Sequence, residues 1–394
     1  MAASLSQAAN DCFKALIHYV QCPFWPIRVY STRLATVHNL KVHKSCSCII
    51  FQNVERTVFH MNRCRSAFSL LMLLTAGCGG GSGGRTDDTA SGLCPAQMPP
   101  ASPIGSLAYM VDGVAAQEMK SRNLPGLAIA ISKNGTTLYA QGYGYANLKS
   151  CLPVVASTVF QIGSVTKQFT AAAVLQLVNG GELNLDRAVS EVLPAYGFDS
   201  GITLRMLLNH TSGLDDYIGF PEAAAWTDGV SPQTVLTKIA KSPLLFSPGA
   251  AYSYSNSNYY VLGSIIEVVT GLSFADYLAA NVLGSAQLNQ TTYLQPPSSA
   301  SPYTSAWADG ALWDASFTFA AGALWSNVTD LALGNNALLS SKVMPAALFA
   351  LSVTPPRVPV FQQSGASQYG MGWYQTTQLE RLVRPLRLVV VRRE

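Results

Sequence analysis

Ser164-Val165-Thr166-Lys167 opens a helix-forming run that continues to Gly180, and the rest of the chain is read outward from it. A serine and a lysine three apart on a helix share one face, one turn from each other. The spacing brings an amine within reach of a hydroxyl. A hydroxyl attacks carbonyls poorly at neutral pH unless an adjacent base takes its proton. A lysine serves as that base when burial or a neighbouring cation disfavours its charged form. Phe169 and Ala171-Ala172-Ala173 predict a buried helix, which argues against a solvated Lys167. A serine at a helix start also reads as an N-cap. The two roles are compatible, since a nucleophile there feels the positive end of the helix dipole.

Two later segments bear on this pair. Pro248-Gly249-Ala250-Ala251-Tyr252-Ser253-Tyr254-Ser255-Asn256 precedes a helical run, Tyr259 to Thr270. Alternate residues of an extended loop point the same way, so Tyr254 and Asn256 are candidates to face one cavity. The plainer readings are a loop aromatic covering the core for Tyr254 and an Asx turn or cap for Asn256. Leu207-Leu208-Asn209-His210-Thr211-Ser212-Gly213-Leu214 ends a helix in a glycine-containing turn. His210 invites assignment as a general base, but nothing around it offers an orienting acid, and a structural role is expected.

In this order and spacing the three segments resemble the serine β-lactamase/penicillin-binding-protein family, most nearly its class C-like and carboxyl-esterase branch. The likeness lies in the Ser-x-x-Lys, the His-Thr-Ser-Gly-Leu and the Tyr-x-Asn. It runs from about Leu107 to about Tyr374 and takes in the Leu262-Gly263-Ser264-Ile265-Ile266-Glu267 helix and a strand at Tyr369-Gly370-Met371-Gly372-Trp373. The resemblance implies an acyl-serine mechanism. Ser164 would be the nucleophile and Lys167 the proton acceptor. Tyr254 would hold or shuttle the proton, and Asn256 would bind the acyl side of the substrate and help hold Lys167. Substrates would be small molecules or peptidoglycan-like: esters, amides, β-lactams or D-amino-acid peptides. No metal and no organic cofactor is implied. Glu182-Leu183-Asn184 mimics a class A signature, yet Glu182 lies beyond the far end of the Ser164 helix, about 25 Å away at 1.5 Å per residue. Tyr254 with Lys167 is then the expected water activator.

The C-terminus departs from that pattern. In the resembled family a Lys- or His-x-Gly strand follows and contributes an oxyanion-hole amide, alongside the N–H of the nucleophile. Here the chain runs Gln378-Leu-Glu-Arg-Leu-Val-Arg-Pro-Leu-Arg-Leu-Val-Val-Val-Arg-Arg-Glu394. An amphipathic tail helix is opposed by Pro385 and the Val389–Val391 run. The expectation is an incomplete domain lacking its last strands, with little or no turnover, since one oxyanion donor typically accounts for ~10²–10³ in rate.

The 394 residues allow a sizeable core. The net charge of +4 is carried by the ends: residues 1–60 hold six Lys/Arg against two acids and residues 379–394 five against two, leaving residues 61–378 mildly acidic. Without a basic stripe, nucleic-acid binding is excluded as a leading function. Met61-Asn-Arg-Cys-Arg-Ser-Ala-Phe-Ser-Leu-Leu-Met-Leu-Leu-Thr-Ala-Gly-Cys78 has a basic start, an apolar stretch too short to span a bilayer and small residues before a cysteine. It reads as a signal peptide, and Leu-Thr-Ala-Gly-Cys resembles a bacterial lipobox that would make Cys78 a lipidated first residue and a membrane anchor. A plain signal peptide is the alternative. The Gly79–Gly84 tract suits a tether. Residues 1–60 hold four of the eight cysteines and four of the five histidines without helical or strand periodicity, and read as upstream over-extension or disordered sequence. His43, Cys46 and Cys48 are too few for a metal site. In an oxidising compartment Cys94 and Cys151 are candidates for a disulfide, the alternative being two free thiols.

The expected organisation is therefore 1–60 upstream, 61–78 signal, 79–106 linker, 107–378 an incomplete serine hydrolase domain and 379–394 an aberrant tail. The fold class is α+β: an antiparallel sheet with flanking helices, a helical lobe inserted after a hairpin, and the last strands missing. It begins with a helix over 107–122 and a hairpin of Gly126–Lys133 and Thr136–Tyr143 about an Asn134-Gly135 turn, and the helices of the lobe include 273–282. The expected location is the periplasm or outer membrane of a bacterium. The competing functions are a catalytically lapsed acyl-ligand-binding protein and a membrane-tethered lipoprotein. Nothing in the sequence speaks to oligomeric state.

Overall fold

The computed structural model describes residues 47–52, 94, 102–133, 135–297, 299–302, 312–361, 367–376 and 387–392. Helix α1 spans Leu107–Arg122, as its apolar spacing predicts. The Ser106 hydroxyl caps its start by accepting the Tyr109 N–H at 3.1 Å, and Asn123 ends it in the left-handed conformation (φ 51°). The predicted hairpin follows as β2 (Gly126–Lys133) and β3 (Thr136–Asn147), with a bulge between Ile131 and Ser132. Asn134 of the expected Asn-Gly turn lies outside the described residues.

β2 is apolar on both faces because both are covered. Leu127, Ile129 and Ile131 pack with Val111 and Ala115 of α1, whereas Ala128 and Ala130 face the main core. A short β4 (Leu152–Pro153) lies on β3. Beyond β2 the sheet takes strands from segments outside 107–378. β1 (Ser47–Gln52) runs parallel to β2, giving the sheet order β4-β3-β2-β1 followed by Arg387–Arg392, antiparallel to β1. Cys-Ile-Ile-Phe and Leu-Val-Val-Val are β-favouring runs. The β1–β2 pairing is the one parallel pairing among the named strands. Cys94 and Cys151 form a disulfide with a Cα–Cα separation of 5.5 Å. The signal segment, Cys78, His43 and the Gly tract lie outside the described residues.

Between hairpin and C-terminus the chain is helical, as expected. A 3₁₀ turn, Gly163–Val165, leads into α2 (Thr166–Asn179). Then come α3 (Leu204–Leu208), α4 (Pro232–Lys241), α5 (Asn256–Thr270), α6 (Ala315–Gly322) and α7 (Val328–Leu339). The expected helix at 273–282 divides into Phe274–Tyr277 and a π-helical Leu278–Leu283. Every residue of α2 from Thr166 to Leu175 is buried, so this helix is a central strut with no solvent face. It packs against α5 and α6. Two short strands, β5 (Phe160–Gln161) and β6 (Trp325–Ser326), pair just before the 3₁₀ turn and hold it to the α6–α7 connection.

One expected strand is instead a hairpin. Tyr369–Trp373 reads as continuous strand in sequence, but the chain reverses within it: β7 is Ser367–Tyr369, β8 is Tyr374–Thr376, and Gly370 N–H bonds Trp373 O at 2.8 Å. The reversal needs Gly372, at φ +86°, where a Cβ would lie 2.9 Å from Gln168 Cα on α2. The last strand of the sheet, β9 (Arg387–Arg392), lies against the 3₁₀ turn that carries Ser164.

Candidate active site

Ser164 sits in the 3₁₀ turn rather than at the N-cap of α2. The N-cap position is Val165, which makes no side-chain capping bond. The Ser164 hydroxyl is held instead by two donors: Lys167 Nζ at 3.1 Å and Tyr254 Oη at 2.9 Å. The one-turn spacing seen in the sequence thus becomes a direct contact. Ser164 is half-buried and Lys167 fully buried.

Lys167 Nζ also donates to Asn256 Oδ1 and to the Ala321 carbonyl, each at 2.8 Å. The Tyr254 and Tyr259 rings lie 4.9 and 5.6 Å from it. Tyr254 and Asn256 do converge on one place, but not as two loop residues. Asn256 is the first residue of α5, and its side chain reaches Lys167 while Tyr254, still in the loop, reaches Ser164. The expected alternation holds across the loop–helix junction.

His210 has the structural role expected of it. It adopts φ +60°, is completely buried and brackets the Tyr254 loop. Its carbonyl accepts the Ser253 N–H at 3.0 Å, and its Nδ1 accepts the Ser255 N–H at 3.2 Å, one residue either side of Tyr254. Its ring packs 4.3 Å from that of Tyr254, centroid to centroid. Burial, and then the nearby Lys167 charge, hold the His210 imidazole well below its ordinary 6.5, so it is neutral and Nδ1 stays an acceptor. Tyr254 also meets the hairpin, edge-on to Tyr369, which packs on His210 as well, and stacked on Tyr374 at 6.0 Å.

Two contributors were not visible in the sequence. Asp216 Oδ2 accepts from Asn256 Nδ2 at 2.9 Å, which turns the amide so that Oδ1 faces Lys167. Burial pushes the Asp216 carboxyl above its ordinary 3.8, against opposing bonds from the Ile218 N–H and Asn256. The signal available was the Asp215-Asp216 pair set among Leu214, Tyr217 and Ile218, directly after the His-Thr-Ser-Gly-Leu turn. The other contributor, the Ala321 carbonyl, is backbone and leaves no mark in sequence. Glu182 is exposed past the end of α2, far from Ser164, as its spacing required. Among the described residues, no group of three or more His, Cys, Asp or Glu side chains is arranged to hold a metal.

A serine hydroxyl held between a buried lysine amine and a tyrosine hydroxyl, at the junction of a sheet and a helical lobe, defines a β-lactamase/transpeptidase-like serine hydrolase fold. The family model described as Beta-lactamase matches residues 111–383, and the chain belongs to that family. It is similar to Protein flp of Staphylococcus aureus (strain MW2), 34% identical over 190 residues that make up 47% of this chain and 38% of that protein. The chain thus spans well under half the length of the curated relatives it matches. Among solved structures, an octameric penicillin-binding protein homologue from Pyrococcus abyssi superposes with a TM-score of 0.60 at 26% identity, covering 68% of this chain and 65% of that one. A D-stereospecific amidohydrolase from Streptomyces sp. gives a TM-score of 0.55 at 26% identity, covering 66% and 82%.

Proposed function

We propose that this chain is a serine hydrolase that captures acyl groups of esters, amides or β-lactam and D-amino-acid peptide carbonyls on Ser164, with the low turnover expected of a site with one assigned oxyanion donor. The supporting observation is the Ser164 hydroxyl held between Lys167 Nζ and Tyr254 Oη at 3.1 and 2.9 Å. The free-amine form of Lys167 takes the hydroxyl proton as Oγ bonds to the carbonyl carbon and the π pair moves onto oxygen. The Ser164 backbone N–H, at the positive end of α2, is one donor to that oxyanion. Collapse breaks the bond to the leaving group, which takes the proton from Lys167 by way of Tyr254. Water then attacks the acyl carbon, returning a proton through the same pair, and frees the acid and Ser164. The likeness to a D-stereospecific amidohydrolase supports amides of D-amino acids as the first substrates to try.

The test is labelling of the full chain by a fluorophosphonate, with peptide mass spectrometry, followed by turnover of a p-nitrophenyl ester and nitrocefin. The adduct is expected on Ser164 and absent in Ser164→Ala. Lys167→Met is expected to label about 10²–10⁴-fold more slowly, the usual share of a general base. An adduct on another residue overturns the reading. A labelled chain that turns nothing over retains acyl capture alone, the binding-protein alternative.

The export reading also stands as a proposal. It is supported by the Met61–Cys78 segment and by the Cys94–Cys151 disulfide, a bond that persists in oxidising compartments. Palmitate incorporation in a bacterial host, lost in Cys78→Ala, tests the lipid anchor. Secretion without incorporation would favour the plain signal peptide.

A further inference from the structure

Inside α6 one residue breaks the helix. Phe319 sits at φ 38°, ψ −136°, a conformation that non-glycine residues rarely adopt, and it is buried. The two carbonyls that follow turn out of the helical direction onto α2. Ala320 O accepts the Thr170 hydroxyl at 2.7 Å, and Ala321 O accepts Lys167 Nζ at 2.8 Å. Thr166 Oγ1 accepts the Leu324 N–H at 3.2 Å. Thr166, Lys167 and Thr170 lie on one face of α2, so the turn is gripped on both sides of the lysine. From the opposite side α5 presents Gly263, where a Cβ would lie 2.5 Å from both Ala320 Cβ and Phe319 Cε1. Any side chain at 263 would push on the turn.

We propose that this strained turn is a positioning device for Lys167, with Thr170 and Gly263 as its positioning residues. The inference rests on the acyl-serine reading above. Asn256 Oδ1 and Ala321 O are obligate acceptors, so each claims one hydrogen of Nζ. The third direction of the amine points at Ser164 Oγ. In the ammonium that direction is an N–H; in the free amine it is the lone pair that takes the serine proton. Lys167 changes protonation state with no heavy atom moving, provided that Ala321 O stays in place. Without it a neutral amine rotates, and its lone pair is no longer aimed. Among the described residues, the titratable groups around Nζ include Tyr254 before α5, Tyr259 on α5, and His210 and Asp216 from the segment after α3. None of them is altered by changes at 170 or 263.

The experiment follows the rate of Ser164 modification by a fluorophosphonate against pH in the full chain, with thermal melting of each variant. Thr170→Val keeps shape but removes the donor to Ala320 O. Its plateau rate is expected to fall about 10- to 100-fold, the effect of misplacing a reacting group by around an ångström. Its acidic limb is expected to move to lower pH, because an ammonium short of one acceptor is disfavoured. Thr170→Ser is expected to restore both. Gly263→Ala, which pushes the same turn from α5, is expected to shift plateau and limb in the same directions. Variants that melt lower yet keep the wild-type plateau and limb overturn the inference and leave the acyl-serine reading intact. A wild-type chain that is never modified at Ser164 overturns both.

Discussion

At His210, burial and local bonding act together: Nδ1 has to stay unprotonated to accept the Ser255 N–H, and a fully buried imidazole resists charge. The sign of the pH effect follows. The unfolded chain takes up a proton near 6.5 and the native chain does not until well below it, so the unfolded state binds more protons across that window. Stability is therefore expected to fall as pH drops below 6.5, with a slope of up to about 1.4 kcal/mol per pH unit from this group. Urea unfolding between pH 5 and 7.5 measures it, and His210→Asn, which tolerates positive φ, should flatten the slope. Asp216 acts with the opposite sign in its own window. Its raised native value lets the folded state hold a proton above 3.8, so its contribution declines as pH rises from there. Asp216→Ala also frees the Asn256 amide from its orienting bond. Ser164 labelling is expected to slow by about tenfold or more as Asn256 Oδ1 drifts from Lys167; wild-type rates in that variant would rule out the orienting role.

Among the elements, the β7–β8 hairpin shows how a turn far along the chain sets the site. Its reversal at Gly372 docks on α2 beside Lys167 and delivers Tyr369 and Tyr374 against Tyr254. Gly372→Ala meets positive φ and a backbone atom of Gln168 at 2.9 Å, with no flexible side chain to yield. A loss of about 1–3 kcal/mol in chemical denaturation is expected, as for overpacked sites. Labelling of Ser164 should slow as well, because Tyr254 loses its aromatic backing. Here the sequence misled: Tyr-Gly-Met-Gly-Trp alternates like a strand, and alternation alone does not distinguish a strand from a tight reversal when both glycines are free to turn. The burial of α2 was legible, since a run as rich in Ala, Val and Leu as Phe169–Val178 belongs in a core.

For the whole molecule, the disulfide is the longest covalent constraint among the described residues. Cys94 and Cys151 are 57 residues apart in sequence and enclose α1 and the β2–β3 hairpin. By the chain-entropy account such a loop contributes about 4 kcal/mol. The double variant Cys94→Ser/Cys151→Ser is expected to melt at a clearly lower temperature while still labelling at Ser164 at 25 °C. A non-reducing peptide map of the wild-type chain that recovers both thiols free would contradict the bridge. At this scale the sheet and the helical lobe meet where β5, β6 and the 3₁₀ turn hold Ser164, so local damage to either layer is felt at the nucleophile.

Much of this was legible in the chain itself. Ser164, Lys167, Tyr254 and Asn256 could be named because helical spacing and loop alternation made them candidates and the family resemblance assigned their roles; α1, the β2–β3 hairpin and the buried character of α2 were legible from local pattern. The hairpin at Gly372, the strand pairings of 47–52 and 387–392, and the roles of Asp216, Thr170, Gly263 and the Ala321 carbonyl were decided only by tertiary structure. They depend on groups brought together over long stretches of chain, from 40 residues for Asp216–Asn256 to 345 for the Ser47–Arg392 pairing. A backbone carbonyl has no side chain to betray it, and a glycine's need for space exists only once its neighbour is in place.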